Sequence, residues 1–212
     1  MSTSRGDSET NVNKNRQRFL NKFNVSVSKL AQPLQVGGDR VQVINTPGDY
    51  PGLDALITAD QDIYLRILTA DCAPILIWSL SDRVVAAVHS GWQGSELNIL
   101  GKTLSMMERE LGTDPKSLCV AIGPGLTQEN FEVGPEFGDK FDAQYLQPVS
   151  TGSKFLFNNN NYLRDTAIQA GVPRQQIEIL PFCSYKDDHL FFSHRRDQGV
   201  TGRMMSIIGI NP

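Results

Sequence analysis

Cys72 and His89 are the residues from which chemistry on this chain would start. Cys72 closes the segment Thr69-Ala70-Asp71-Cys72, and His89 closes the apolar run RVVAAVH. If residues 73–80 and 83–89 pair as a hairpin about Ser81-Asp82, opposed positions sum to about 163. Cys72 then lies near His89 at the open end of the hairpin. A thiol and an imidazole at that distance can share a proton or a metal ion. The chain has three cysteines, Cys72, Cys119 and Cys183, and three histidines, His89, His189 and His194. Any histidine chemistry must use one of those three. The competing reading is a packed, inert pair, because free cysteine is often buried and a lone histidine is often structural.

The residues around the pair add possible roles. Ser90, followed three positions later by Gln93, fits a capping box. It predicts a helix from about Trp92 to Leu111, with Leu97, Leu100, Leu104, Met107 and Leu111 on one buried face. The start of such a helix would lower the pKa of a nearby thiol and attract anions. Asp71 is a candidate acceptor for an imidazole or substrate N–H. Trp92 reads as a packing residue or pocket wall. Arg195, Arg196 and Arg203 could clamp a phosphate or carboxylate through their guanidinium forks. His194 reads as a strand-end residue and His189 as exposed. Gly123-Pro124-Gly125 could let backbone approach a ligand. Cys119 reads as core, and Cys183 as lining the pocket or packing beneath it.

These side chains need a scaffold. Residues 1–10 read as a disordered tail, and 11–212 as one domain. A polar helix fits 9–23, with Val12, Phe19, Leu20 and Phe23 as its contacts. The polar turns of NTPGDYPG (45–52) separate short strands at 40–44 and 54–58. YLRILT (64–69), APILIWSL (73–80) and RVVAAVHS (83–90) read as three further strands. Another strand fits 117–123. Helices fit about 135–144 and 159–170, and the last strands fall at 176–180, 189–194 and 203–210. The elements mix without clean alternation, which predicts an α+β fold with mixed sheets layered against helices.

Composition narrows the classes. A chain of 212 residues with 40% hydrophobic residues can bury a real core. A net charge of −3 gives no footprint for nucleic acid or a membrane surface. No apolar run approaches the roughly 20 residues of a membrane span. The polar opening MSTSRGDSETNVNKNRQRF lacks a secretory h-region. An odd cysteine count without CxxC spacing argues against a disulfide framework and for the cytoplasm.

At these residues the chain resembles a known family. The proteins are called multicopper polyphenol oxidoreductases (laccase-like), and are also described as purine nucleoside phosphorylases with adenosine deaminase activity. Some bacterial members edit peptidoglycan precursors. The resemblance rests on TADCAPILI (69–77), AAVHSGWQG (86–94), AIGPG and FEVG within 121–134, AGVP and QIE within 170–178, and FFSHRRD and TGRMMS within 191–206. It implies an α+β fold with a Cys–His cleft, like that of a group once called cysteine hydrolases. It also implies a metal ion, usually zinc, held by a Cys and two His. Cys72 and His89 match two of these ligands. The third comes from a QVHG-type segment, which here reads Gln35-Val36-Gly37-Gly38, so Gly37 stands in the histidine's place. His194 is the remaining candidate donor. Gln93 stands where the family commonly has Arg. Asp71, Gln93 and Arg196 are the candidate substrate contacts.

Three functions follow as expectations. The first is an enzyme that phosphorolyses or deaminates adenosine, with nucleoside and phosphate as partners and zinc as cofactor. The second is an amidohydrolase of muropeptide precursors, with Cys72 as nucleophile and His89 as base. The third is a catalytically degraded binding protein. A copper oxidase ranks last, because three histidines cannot build several copper centres.

Overall fold

The structure, a computed structural model, describes residues 8–150 and 152–210. Most of the tail expected at 1–10 lies outside the described residues. Its last residues are ordered: Ser8 accepts from the Asn11 amide and caps helix α1 (Glu9–Asn21). Strands β1 (Leu30–Leu34), β2 (Val41–Val43), β3 (Gly48–Pro51), β4 (Ala55–Thr58), β5 (Tyr64–Thr69), β6 (Ala73–Ser79) and β7 (Val85–Ser90) follow. Helices α2 (Trp92–Glu96) and α3 (Ile99–Leu111) lead to β8 (Leu118–Ile122), β9 (Glu132–Val133), β10 (Leu146–Pro148) and β11 (Phe155–Phe157). Helix α4 (Asn159–Gln169), β12 (Ile177–Ile179) and β13 (Met204–Gly209) complete the chain.

The strands form three sheets. A six-stranded sheet runs β12-β8-β6-β7-β4-β2, a four-stranded sheet β13-β5-β1-β3, and a small one β10-β11-β9. The two larger sheets mix parallel and antiparallel pairs. This is the expected α+β class.

Strand alternation explains the layering. On β4, Ala55 and Ile57 pack with Leu100, Leu104 and Met107 of α3 and Leu163 of α4, whereas Leu56 turns toward Leu65 and Ile67 of β5. On β5, Tyr64 and Leu68 point the opposite way, toward Leu20 of α1. The order is therefore helices, six-stranded sheet, four-stranded sheet, α1. A separate aromatic cluster, with Phe137, Phe141, Tyr145 and the fully buried Phe157, supports the small sheet.

Several local expectations change. The long helix after His89 is two helices. Asn98 adopts a left-handed conformation (φ 59°) and its side chain caps the Gly101 amide, so α3 starts afresh and Leu97 is exposed. Ser90 caps nothing, because the N-cap of α2 is Gly91 and it has no side-chain cap bond. Ser90 Oγ instead meets Ser95 Oγ (3.0 Å), which donates to Asn159 Oδ1 (2.7 Å), and so ties α2 to α4. The helix expected at 135–144 is two 3-10 turns, Pro135–Asp139 and Ala143–Tyr145. Gly138 and Asp142 weaken helix there, and the aromatic cluster fixes the path instead. Phe23, expected as a contact of the first helix, is exposed. The sequence reading also missed the short strands β9, β10 and β11, as well as β1 and β3. The latter lies within the stretch read as polar turns.

Candidate functional site

The hairpin register comes out as read. Ala73 faces Ser90 and Pro74 faces His89, so opposed positions sum to 163 and Cys72 sits just beyond the paired end. The connection spans residues 80–84 and is longer than a two-residue turn, but Ser81-Asp82 is its centre. Asp82 holds it by accepting from Ser79 Oγ (3.0 Å) and Ser81 Oγ (2.9 Å). Gly91 allows the thiol to come close: a Cβ there would lie 3.1 Å from Cys72 Sγ.

His89 is oriented by a residue that sequence reasoning missed. Its Nδ1 lies 2.8 Å from Asp54 Oδ1. Asp54 immediately precedes β4, whose pairing with β7 puts Ala55 opposite Val88 and hence Asp54 beside His89. The His89 amide also donates to the Asp54 carbonyl (2.8 Å). The Asp54 side chain is fully buried, yet it accepts from the amides of Val36 (3.1 Å), Gly37 (2.9 Å) and Gly38 (2.8 Å). Burial would raise its pKa, but the bond to His89 and the Gly38 and Gly37 amides lower it overall. With Nδ1 committed to Asp54, Nε2 is the ring nitrogen left for another partner, and Cys72, just beyond the paired end, lines the same cavity. Burial opposes charge on His89, but the bonds to Asp54 and Cys72 outweigh it and raise the imidazole to about 9. The sequence signal for Asp54 was a lone carboxylate opening a short, mostly apolar strand, where it had to be buried and paired.

Of the two partners expected for Asp71, an imidazole or a substrate N–H, the first does not hold. Asp71 lines the cavity, but it is not the imidazole's acceptor. Its Oδ1 accepts from Ser184 Oγ and its Oδ2 from the Arg195 amide, both at 2.7 Å. Asp71 therefore clamps the Cys72 turn, in which it takes φ 88°, to the C-terminal segment.

Cys72 and His89 open into a cavity of about 1050 Å³. Trp92, Phe131 and Leu126 give it apolar wall, and Arg16, Arg195 and Arg203 bring cationic groups. Arg195 stacks over Phe131 at 5.3 Å and donates to the carbonyls of Asn130 and Glu132. Arg196 does not reach the cavity. Its guanidinium is consumed by Asp197 and by the carbonyls of Ser184, Tyr185 and Phe191. Gln93 is exposed and outside the cavity wall. His194 lines the cavity, His189 is exposed beside Asp188, and Cys183 is buried outside that wall. Cys119, expected in the core, is half-buried.

The segment expected as a strand at 189–194 is a turn region, because Arg196 and the Asp197 amide take the carbonyls of Phe191 and Ser193. The helix facing Cys72 has only the five residues of α2. It cannot supply the long-helix field that the capping-box reading implied.

The donor set does not match a three-ligand zinc centre. Among the described residues, no group of three or more His, Cys, Asp or Glu is arranged to hold a metal ion. Gly37 has φ 76°, and a Cβ there would meet Gln93 Oε1 at 3.3 Å. The space in front of the vacant ligand position is thus taken by Gln93. Cys72 and His89 remain as two donors, where catalytic zinc takes three from the protein.

The chain is 32% identical over 206 residues to a purine nucleoside phosphorylase of Deinococcus radiodurans, covering 97% of this chain and 80% of that one. It is 26% identical to the purine nucleoside phosphorylase YlmD of Bacillus subtilis, over 96% of this chain and 79% of that one. Its fold superposes on the crystal structure of YlmD from Geobacillus stearothermophilus with TM-score 0.95 at 28% identity, over 100% of this chain and 84% of that one. The Bacillus licheniformis protein YfiH gives TM-score 0.91 at 26% identity, over 99% and 84%. The family model described as multi-copper polyphenol oxidoreductase laccase matches residues 1–211, so the chain belongs to that family, and its Cys72–His89–Asp54 arrangement is one member's form of the fold.

Proposed function

We propose that this chain is an enzyme that cleaves purine nucleosides with phosphate. The observation that carries the reading is the Cys72–His89–Asp54 chain opening into a cavity with both aromatic and cationic walls. Relatives named as purine nucleoside phosphorylases supply the reaction class. In this scheme a phosphate oxygen attacks C1′ of the ribose, and the bond from C1′ to the purine nitrogen breaks. His89, held protonated by Asp54, gives its proton to the leaving base. Arg195 and Arg203 balance the phosphate charge, and Trp92 and Phe131 flank the base. Adenosine deamination is a second reaction of the same pocket in this reading. No step is assigned to zinc. The test is incubation of adenosine with phosphate, followed by chromatography for adenine, ribose 1-phosphate and inosine. Formation of neither adenine nor inosine, with or without added zinc, ends this reading.

A second reading is favoured by Gly37, which leaves the thiol without a third metal ligand beside it. In an amidohydrolase of muropeptide precursors, Cys72 sulfur attacks an amide carbonyl while His89 holds the thiol proton. The C–N bond breaks, His89 protonates the amine, and water then cleaves the thioester. Alkylation discriminates the two readings. Iodoacetamide should label Cys72 well before Cys119, and amidase activity should fall in proportion to that labelling.

A further inference from the structure

Thr69 is a buried polar residue that the nucleoside scheme leaves unused. It closes β5, three positions before Cys72, and is only 2% exposed. Three other buried threonines are paired. Thr58 Oγ1 accepts from the Asp60 amide, Thr103 Oγ1 donates to the Ile99 carbonyl, and Thr201 Oγ1 donates to Asp197 Oδ2. The Thr69 hydroxyl has no hydrogen-bond partner among the described residues. Two other buried side-chain atoms lack one among those residues, the Thr113 hydroxyl and Arg66 Nε, and both are sealed in protein. Thr69 is not sealed. It lines the cavity of Cys72 and His89 and also a second cavity of about 620 Å³ beside it. A buried hydroxyl of this kind gains most from a ligand that supplies the missing partner.

Its position is fixed from both sides. Gln35 Nε2 donates to the Leu68 carbonyl (2.7 Å), and Gln35 Oε1 accepts from the Leu68 amide (2.9 Å), which pins the strand end. On the other side Met204 of β13 faces Thr69, so Arg203 lies beside it. Arg203 lines the same two cavities. Other polar groups of the cavity wall are engaged, Ser90 with Ser95 and Asp71 with Ser184 and the Arg195 amide. Thr69 thus presents, on a rigid element, a group that both donates and accepts.

We infer that Thr69 is a specificity-determining residue whose hydroxyl bonds the 2′,3′-diol of the nucleoside ribose. The inference rests on the nucleoside reading and adds which part of the substrate is read. In phosphorolysis of a β-nucleoside, phosphate approaches C1′ on the face opposite the base. The 2′ and 3′ hydroxyls lie on that same face, and the 5′ carbon lies on the other. Arg203 balances the phosphate charge in that reading, so a group beside Arg203 meets the diol rather than the base or the 5′ end. A buried group matched to a substrate hydroxyl disfavours the analogue that lacks it, because the group is then left unpaired.

Calorimetric titration of the full chain with adenosine, without phosphate, tests it, alongside 2′-deoxy-, 3′-deoxy- and 5′-deoxyadenosine. Thr69→Val should weaken adenosine binding about tenfold. Thr69→Ser, which keeps the hydroxyl, should stay within about threefold of the wild type. The wild type should bind the 2′-deoxy or the 3′-deoxy compound about tenfold more weakly than adenosine, and Thr69→Val should weaken that compound no further. The 5′-deoxy compound should lose as much as adenosine does. Equal weakening of all the compounds by Thr69→Val marks a structural role and overturns the inference. So does a Thr69 effect that vanishes only with the 5′ hydroxyl. Should Thr69→Val fail to fold by circular dichroism, Thr69→Ala takes its place with the same expected pattern. No adenosine binding by the wild type ends the nucleoside reading and this inference together. Adenosine binding that is indifferent to Thr69 ends this inference alone.

Discussion

Two regions meet at this site and were unequally legible. The hairpin β6–β7 has a register set by neighbouring strands, and Cys72 and His89 come together as the spacing implies. The segment from Phe182 to Arg203 has no regular structure, and its arginines divide their roles. Arg195 and Arg203 face the cavity, while Arg196 holds backbone carbonyls together. A strand repeats one geometry, so position along the sequence gives position in space. A turn region held by side-chain bonds has no such repeat, and each guanidinium must be placed individually.

The sharpest way to break this comparison is at the hairpin. Cys72→Ala and His89→Ala should each lower nucleoside turnover by about a thousandfold, an effect on the order of 4 kcal/mol; the thermal midpoint should move little in Cys72→Ala but fall in His89→Ala, which leaves the buried Asp54 carboxylate without its imidazole partner. A variant retaining more than a tenth of the activity would show that the pair is structural. Next is Asp54→Ala, which leaves three amides and the imidazole without their acceptor. A stability loss of about 3 kcal/mol is expected by denaturant titration, together with loss of activity.

On the other side of the comparison, Arg196→Ala should cost about 2 kcal/mol and leave nucleoside affinity unchanged in the folded protein. Weakened nucleoside affinity at unchanged stability would return Arg196 to the binding site. The smallest expected effect is one of pH. Thr201 first, and then Arg196, hold the Asp197 carboxyl below its ordinary range. A depressed carboxyl stabilises the fold above its unfolded pKa, about 3.9, and that contribution is lost as pH falls through the lower folded value. Proteolysis by pepsin between residues 186 and 200 should therefore speed up as the pH drops below about 4. Thr201→Val should shift the onset to higher pH.

The other misreadings follow the same division. The strands 64–69, 73–79 and 118–122 were plain from apolar runs bounded by polar turns. The break at Leu97-Asn98 was hidden, because Asn98 serves as a new cap inside a pattern with continuous helical spacing. Asp71, the neighbour of Cys72 in its motif, was only a candidate acceptor for the imidazole or for a substrate N–H. The actual partner, Asp54, lies 35 positions from His89 and reaches it through the β4–β7 pairing.

The sequence by itself determined the α+β class, the apolar runs that become β4 to β8, and the meeting of Cys72 with His89. All of these depend on local periodicity and one hairpin register. Only the tertiary structure decided which carboxylate holds the imidazole and which arginines reach the cavity. It alone put Gln93 in front of Gly37 and left Arg66 buried with an Nε that has no hydrogen-bond partner among the described residues. Those outcomes depend on contacts between sheets, helices and turns far apart in the chain, whose energies cannot be read from residue order.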